Sequence, residues 1–429
     1  MAGTYLLRTL TSTGNRKLWT WSAWIKKAIP DGTEMGLFGL YEDGANYFRI
    51  RYKSDQRLGI DNVEGNTTNM SLILGTEHRD VSGWYHLVVK YDSAQSTASN
   101  RVKIYVNGVL QTVFQSSTYP SQNANTYFPV NALPLNVGRT TNNKYFDGSM
   151  SHIHFTDGYA YDASAFGSTD STTGEWKINT SPSVTYGTNG FFILKDNGAK
   201  TDQSGNGNNF SEEGTPGIVS NTQDSPSNVF ATWNSLANQG SVTLNYGNTR
   251  AVFTASGWNF VYSTLGASSG KYYYEVKAVN TGSDSNIGIM EMDTATNEQG
   301  TADNVGKNTE SVSYASNGSI KKNNVTVQTG LGSISTGDIL GIAMDLDNNT
   351  VQFYLQGVAK GTAVSIASDK TYAFATSGYT NAEHQTNFGN GYFGTTAVSS
   401  AGTNASGIGI FEYDVPTGFT ALSTKGLNT

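Results

Sequence analysis

The chain has 429 residues, of which 14% are charged and 12% aromatic; it holds 48 glycines and no cysteine, and its formal net charge is −7. The missing cysteines exclude disulfides and thiolate metal sites, and the acidic balance leaves no electrostatic footprint for a nucleic acid. No stretch approaches the roughly 18 apolar residues of a spanning helix, and the first residues lack a basic start with a long apolar run, so neither membrane insertion nor a secretory signal is expected.

Aromatic and β-branched residues recur too regularly for a disordered chain, and the length suits two or three domains. Residues 1–167 read as a first β unit. LWTWSAWIKKA places Trp19, Trp21 and Ile25 on alternate positions of a strand with at least one buried face. In NYFRIRYK, Tyr47, Arg49 and Arg51 point one way and Phe48, Ile50 and Tyr52 the other. GWYHLVVKYD and RVKIYVNGVLQTVF form central hairpins, with Asn107-Gly108 as the strongest turn signal. Helical periodicity is absent apart from one turn at Asp162 to Phe166.

Residues 168–235 carry Thr/Ser/Gly clusters, short apolar runs such as GFFIL, and Pro182, Pro216 and Pro226. They read as an extended connector that packs on the sandwiches and adds a strand or two to them. Residues 236–429 return to short strands at the spacing of a sandwich, from SVTLNYGNTRAVFT to HQTNFG. Val81 to Gly108 and Gly337 to Gly357 share one pattern: an apolar strand closing on Asp, a polar turn, then an alternating strand ending in Asn-Gly or Gln-Gly. The fold class expected is therefore all-β, with two sandwiches joined by the connector.

TWSAWIKK, GWYHLVVKYD, VKIYVNGVL, LNVGR and FDGSMSHIHFTDGYAYDASAFG come in the order found in laminin-G or concanavalin-like jelly rolls, which the first unit resembles. SGKYYYEVKA, SYASNG, GDILGIAMDLDNNTVQFYLQG and TYAFATSG with NFG resemble a SPRY domain. LLRTLTSTGNRKLWTWSAWIKK, YGTNGFFILKDNGAKTDQSGNGNNF, DSPSNVFATWNSL and YDVPTGFTALSTKGL look like segments of virion proteins of tailed bacteriophages, notably marine (cyanophage-type) ones. That resemblance implies a particle protein made in the host cytoplasm and assembled into the virion.

Candidate chemistry is sparse. In EMDTATNE, Glu291 and Asp293 would share a strand face, but Ala295 and Asn297 follow where a glycosidase would need its acid/base partner, and Glu298 falls outside the pattern. The expected reading is a strand running out into a polar loop. His152 and His154 alternate and could chelate a metal, but no third ligand is visible, and they are read as outer-face residues. His86 is expected to be packed and hydrogen-bonded. DQSGNGNNF and DLDNN hold calcium-type oxygen ligands without an EF-hand spacing, so tight-turn chemistry is preferred and calcium is the one cofactor left open. Arg16-Lys17, Lys26-Lys27 and Lys321-Lys322 are read as solvated strand ends. Tyr272, Tyr273 and Tyr274 are consecutive, so at least one should face outward; with Trp258, Tyr272 and Tyr274 are the candidate ligand-binding residues, suited to sugar stacking or an interface.

The function expected is a non-enzymatic virion structural protein, tail-fibre or tail-associated, that forms homo-oligomers, binds neighbouring virion proteins and presents a surface to host glycans. The alternatives are a capsid decoration or head-fibre protein without a ligand, and a tail-spike glycan hydrolase.

Overall fold

The computed structural model describes residues 3–30, 32–141, 144–195, 200–214, 221–237, 242–297, 304–307 and 310–429. It divides into two compact units, Met1–Asn221 and Thr222–Thr429. Each is built from a larger and a smaller sheet, antiparallel but for the short parallel pairing of Thr420–Ala421 with Lys271–Asn280, the expected pair of β-sandwiches.

In the first unit the larger sheet has eight strands, in the order Phe114–Thr118, Thr67–Glu77, Arg57–Glu64, Tyr47–Tyr52, Met35–Tyr41, Pro134–Val137, Tyr5–Thr9 and Ser211–Glu213. The smaller has six: Phe191–Ile193, Gly148–Asp157, Leu18–Lys27, Tyr85–Asp92, Val102–Val106 and Val109–Leu110. Period-2 alternation in Leu18–Lys27 sends Trp19, Trp21, Ala23 and Ile25 into the core. There Trp19 stacks on Tyr91 at 5.2 Å and meets the edge of Phe48 at 5.3 Å.

The opposite face of Leu18–Lys27 is also buried, because later chain lies over it. The Tyr161 amide donates to the Thr20 hydroxyl at 2.7 Å, and the Trp176 indole donates to His86 at 2.9 Å. The stretch read as a connector is thus largely part of this unit. Phe191–Ile193 pairs with Gly148–Asp157, and Ser211–Glu213 pairs with Tyr5–Thr9. One turn of 3-10 helix, Ala163–Ala165, stands where the sequence suggested one.

The second unit pairs a sheet led by Val242–Asn245, Arg250–Phe253, Ala382–Asn387, Lys271–Asn280, Ile339–Asp345, Thr350–Leu355 and Val358–Ser365 with a sheet of six. The six run Trp258–Ala267, Tyr372–Tyr379, Asp284–Glu291, Ser311–Ala315, Ile320–Lys322 and Val325–Gln328. Tyr274 lies at its centre, stacked on Phe374 at 4.0 Å and on Phe388 at 5.7 Å.

The repeated hairpin pattern is realised twice. Asn107 and Gly108 take φ of 47° and 79°, and Gln356 and Gly357 take 53° and 74°. Positive φ at both central residues is the type I′ turn, whose twist matches that of the flanking strands. A Cβ on Gly108 would stand 2.4 Å from the Trp176 ring, in a backbone region that alanine disfavours. Gly108→Ala is therefore expected to destabilise the first unit by roughly 1–3 kcal/mol, read as a lower urea midpoint in tryptophan fluorescence. An unchanged midpoint would count against this turn assignment.

Candidate functional site

The side chains of YFRIRY sort by alternation. Phe48, Ile50 and Tyr52 are fully buried in the core, while Tyr47, Arg49 and Arg51 lie on the outer face of the larger sheet. Register extends that face across four strands, since Arg49 is opposite Gly39 on one side and Asp61 on the other, and Asp61 is opposite Ser71.

One carboxylate organises the face. Asp61 accepts hydrogen bonds from Arg49 Nε at 2.9 Å, Arg51 Nε at 3.0 Å and the Ser71 hydroxyl at 2.9 Å. Arg51 Nη2 also lies 2.9 Å from it. On its other side Arg51 donates to Glu34 at 2.8 Å, with Arg49 3.5 Å from the same carboxylate. The Arg49 guanidinium sits 4.9 Å over the Tyr47 ring, which meets Tyr41 at 6.4 Å. Burial by itself would raise the Asp61 carboxyl, but Arg51, Arg49 and the Ser71 hydroxyl outweigh it and hold it below the usual carboxylate range. Two cations and two anions leave the patch near neutral. Asp61 has no proton to give at neutral pH, so the array suits polar recognition beside tyrosine rings.

The residues singled out from sequence fare differently. Tyr272, Tyr273 and Tyr274 are 4%, 1% and 0% exposed, which corrects the expectation that one projects outward. Tyr274 points into the core, where its hydroxyl reaches the Gly288 carbonyl at 2.8 Å. Tyr273 takes the other face and is covered there by Phe411, Val415 and Ala421 from the C-terminal segment. Both faces of the sheet are occupied, so alternation exposes nothing. Trp258 is half-buried with its ring 5.8 Å from Tyr379.

Glu291 ends its strand, and Asp293 belongs to the short helix Met292–Asn297, so the two do not share a strand face. The Glu291 carboxylate instead accepts from the Thr294 amide at 2.9 Å. Burial would raise this carboxyl, but the Thr294 and Asp293 hydrogen bonds and Lys370 hold it low. Glu298 lies outside the described residues.

All five histidines are buried, each no more than 6% exposed. His86 meets Ser22 at 2.9 Å, accepts from the Trp176 indole and stacks on Trp24 at 4.7 Å. His154 stacks on Phe192 at 4.0 Å with Nδ1 3.0 Å from the Tyr186 hydroxyl. His152 takes φ 47° where the strand register shifts, and both it and His154 are covered, not placed on an open outer face. Among the described residues no three His, Cys, Asp or Glu side chains gather in a metal-binding group.

The oxygen-rich strings are occupied by turn chemistry. The Asp202 carboxylate accepts from the amides of Phe192, Ser204 and Asn208 at 2.8–2.9 Å. Asp345 accepts from the Asn348 amide and side chain at 2.9 and 2.8 Å, and it pairs with Lys271 at 2.9 Å. Lys26 and Lys27 are 4% and 1% exposed instead of solvated, and Lys27 donates to the His78 carbonyl at 2.5 Å. Sequence reasoning sorted Tyr47, Arg49 and Arg51 onto one face but not the carboxylates opposite them. Polar residues on three neighbouring strands, with Glu34 just before a fourth, were the available signal, and it needed the register to be read.

Residues 4–163 match the model of the concanavalin A-like lectin/glucanases superfamily, in its laminin-G-like form, and residues 271–391 match the SPRY domain. No curated protein matches the chain. The SPRY domain of human HERC1 is similar over 36% of this chain and 96% of its own, at 15% identity and a TM-score of 0.30. The PSpry domain of TRIM65 is similar over 36% and 87%, at 13% identity and 0.30. The native heptameric SAP-like pentraxin from Limulus polyphemus is similar over 37% and 72%, at 14% identity and 0.28. By the two family matches, residues 4–163 form a laminin-G-like domain of the concanavalin type and residues 271–391 a SPRY-like domain.

Proposed function

We propose that this chain is a non-enzymatic binding protein of a tailed-phage particle, tail-fibre or tail-associated and displayed outward, with neighbouring virion proteins and host-surface glycans as its partners. The particle assignment is supported by the four phage-like segments. The binding role is supported above all by the outer-face array in which Tyr47, Arg49 and Glu34 reach solvent and the buried Arg51 and Asp61 hold them in place. Planar donors and a tyrosine ring on a rigid sheet match the alternating hydroxyls and apolar faces of a sugar. Several copies in one particle would multiply weak contacts into useful avidity.

A glycan hydrolase needs a carboxylic acid that keeps its proton, beside a second carboxylate. Asp61 and Glu291 are held low; of the two carboxyls that burial raises among the described residues, Glu275 is covered by the C-terminal segment, and Asp147 stands just before the strand Gly148–Asp157 of the smaller sheet, whereas the array lies on the larger. That favours holding a glycan over cleaving it.

Glycan-array binding by the whole protein tests the reading. Tyr47→Ala, which leaves the ion pairs in place, is expected to weaken binding about fivefold to tenfold, and Arg49→Ala more, on the scale of about 1–3 kcal/mol for a charge-assisted contact. Binding indifferent to both substitutions would sink the site. Release of reducing ends from host polysaccharide would sink the non-enzymatic reading. Antibody labelling of intact particles in electron micrographs tests the location, and absence of label from tail and capsid alike would reject it.

A further inference from the structure

The second unit carries a flank unlike the rest of its surface. Residues 222–429 hold 15 Asp and Glu against nine Lys and Arg. Three of those nine, Lys321, Lys322 and Lys360, sit on or beside two terminal strands, one from each sheet: Val325–Gln328 and Val358–Ser365. No acidic residue occurs in 311–337 or in 350–368.

The two terminal strands lie against each other. The Gln328 side chain donates to the Thr362 carbonyl at 2.8 Å and accepts from the Thr362 amide at 2.9 Å, while Lys322 reaches the Ser365 carbonyl at 2.9 Å. Gln328 thereby blocks the outer side of Val358–Ser365 at its middle. Val325–Gln328 has Ile320–Lys322 on one side and, among the described residues, no strand on the other. Along this flank Val325, Val327 and Val358 are 59%, 44% and 60% exposed.

Lysines on a sheet edge often serve only to keep strands of other copies away. Such a device avoids apolar side chains on the strand itself, yet here two valines stand on it. The lysines also argue against a second copy as occupant, since pairing like edges would set positive charge against positive charge. We propose that Val325–Gln328 is a docking edge for an acidic, extended segment of another polypeptide. That segment would add as a further strand, with apolar side chains against the valines and carboxylates near Lys321, Lys322 and Lys360. The inference does not depend on the glycan site, which lies on the other unit.

The test uses the whole protein and the blocked peptide acetyl-Thr-Val-Glu-Val-Glu-Val-Thr-amide as probe. Two control peptides are the same chain with lysine in place of glutamate, and the same chain N-methylated at alternate residues. Titration should give a Kd of order 0.1–1 mM at about 50 mM salt, with at least a tenfold loss for either control. Lys321→Glu with Lys322→Glu and Lys360→Glu should weaken the acidic peptide at least tenfold. Val325→Ser with Val327→Ser should weaken it at unchanged charge, and an unfolding midpoint like the parent's shows that each variant folds. The proposal is overturned if the acidic peptide does not bind, or if the N-methylated control binds as well. It is equally overturned if dextran sulfate competes as strongly as the peptide, which would mark a polysaccharide patch. Self-association lost in the triple-lysine variant would overturn it in favour of a second copy.

Discussion

Lowering the pH from 7.5 to 4.5 is expected to unfold the first unit while leaving the second nearly unchanged in stability. Burial lowers His78 to about 4 and His86 to about 3, and it holds His154 well below the ordinary imidazole range. These depressed values make the folded unit refuse protons that the unfolded chain accepts below about pH 6.5. Their stabilisation is complete above pH 6.5 and is lost as pH falls toward 4 and 3. At pH 4.5 His78 and His86 have each withdrawn roughly 2–3 kcal/mol, about 5 kcal/mol together, with His154 pulling in the same direction and the raised carboxyl of Asp147 against it; a loss of that size is comparable to a whole domain's stability.

The second unit has one such group, His384, lowered by burial to about 3. It also has Glu275, which burial raises to about 7 despite hydrogen bonds that pull it down. A raised carboxyl works in the other direction, because its folded form takes up a proton first and so adds stability as pH falls from 7 to about 4.5. That gain, roughly 3 kcal/mol, offsets the loss at His384. Five of the seven tryptophans, Trp19, Trp21, Trp24, Trp84 and Trp176, lie in the first unit. Urea unfolding followed by tryptophan fluorescence therefore reports mainly on that unit. A fluorescence midpoint unmoved between pH 7.5 and 4.5 would refute the account.

Glu275→Ala is expected to cost the second unit roughly 3–5 kcal/mol. The carboxylate is fully buried, and it accepts from the amides of Glu412 and Tyr413 at 2.8 and 2.9 Å. The Asn387 side chain and the Tyr273 hydroxyl reach it at 3.3 Å. Deleting it leaves these donors facing a void and frees the C-terminal segment that covers Tyr273. Hydrogen exchange should show lost protection at the Glu412 and Tyr413 amides before any global change. Glu275→Gln keeps the shape but not the titration. The second unit should then lose about 2–3 kcal/mol on going to pH 4.5, because His384 is no longer offset. Wild-type protection at both amides in Glu275→Ala would show that the segment is held by something else.

Much of the frame was legible in the sequence because it follows from local rules. The alternation of Trp19, Trp21 and Ile25, the opposed faces of YFRIRY and the turn residues at 107–108 and 356–357 each depend on a few neighbouring residues. The packing of His86 was legible, but the burial of Tyr272, Tyr274, Lys26, Lys27, His152 and His154 was not. The rule that every other side chain faces water assumes a sheet with one open side. In the first unit chain from beyond residue 157 covers the outer face of the smaller sheet, and in the second the C-terminal segment covers the face that carries Tyr273 and Glu275.

The candidate glycan face lies between these cases. Alternation within one strand placed Tyr47, Arg49 and Arg51 together, but their carboxylate partners come from residues 10 to 17 positions away, through hairpins whose register no single strand encodes. The composition and short-range pattern of this chain by themselves determined that it is all-β, that it has two sandwiches and where its tightest turns fall, because strand periodicity and positive-φ turns are local properties. Which faces stay open, which ionisable groups are sealed in and which charges meet came from the folded chain, because burial and pairing are set by segments far apart in sequence.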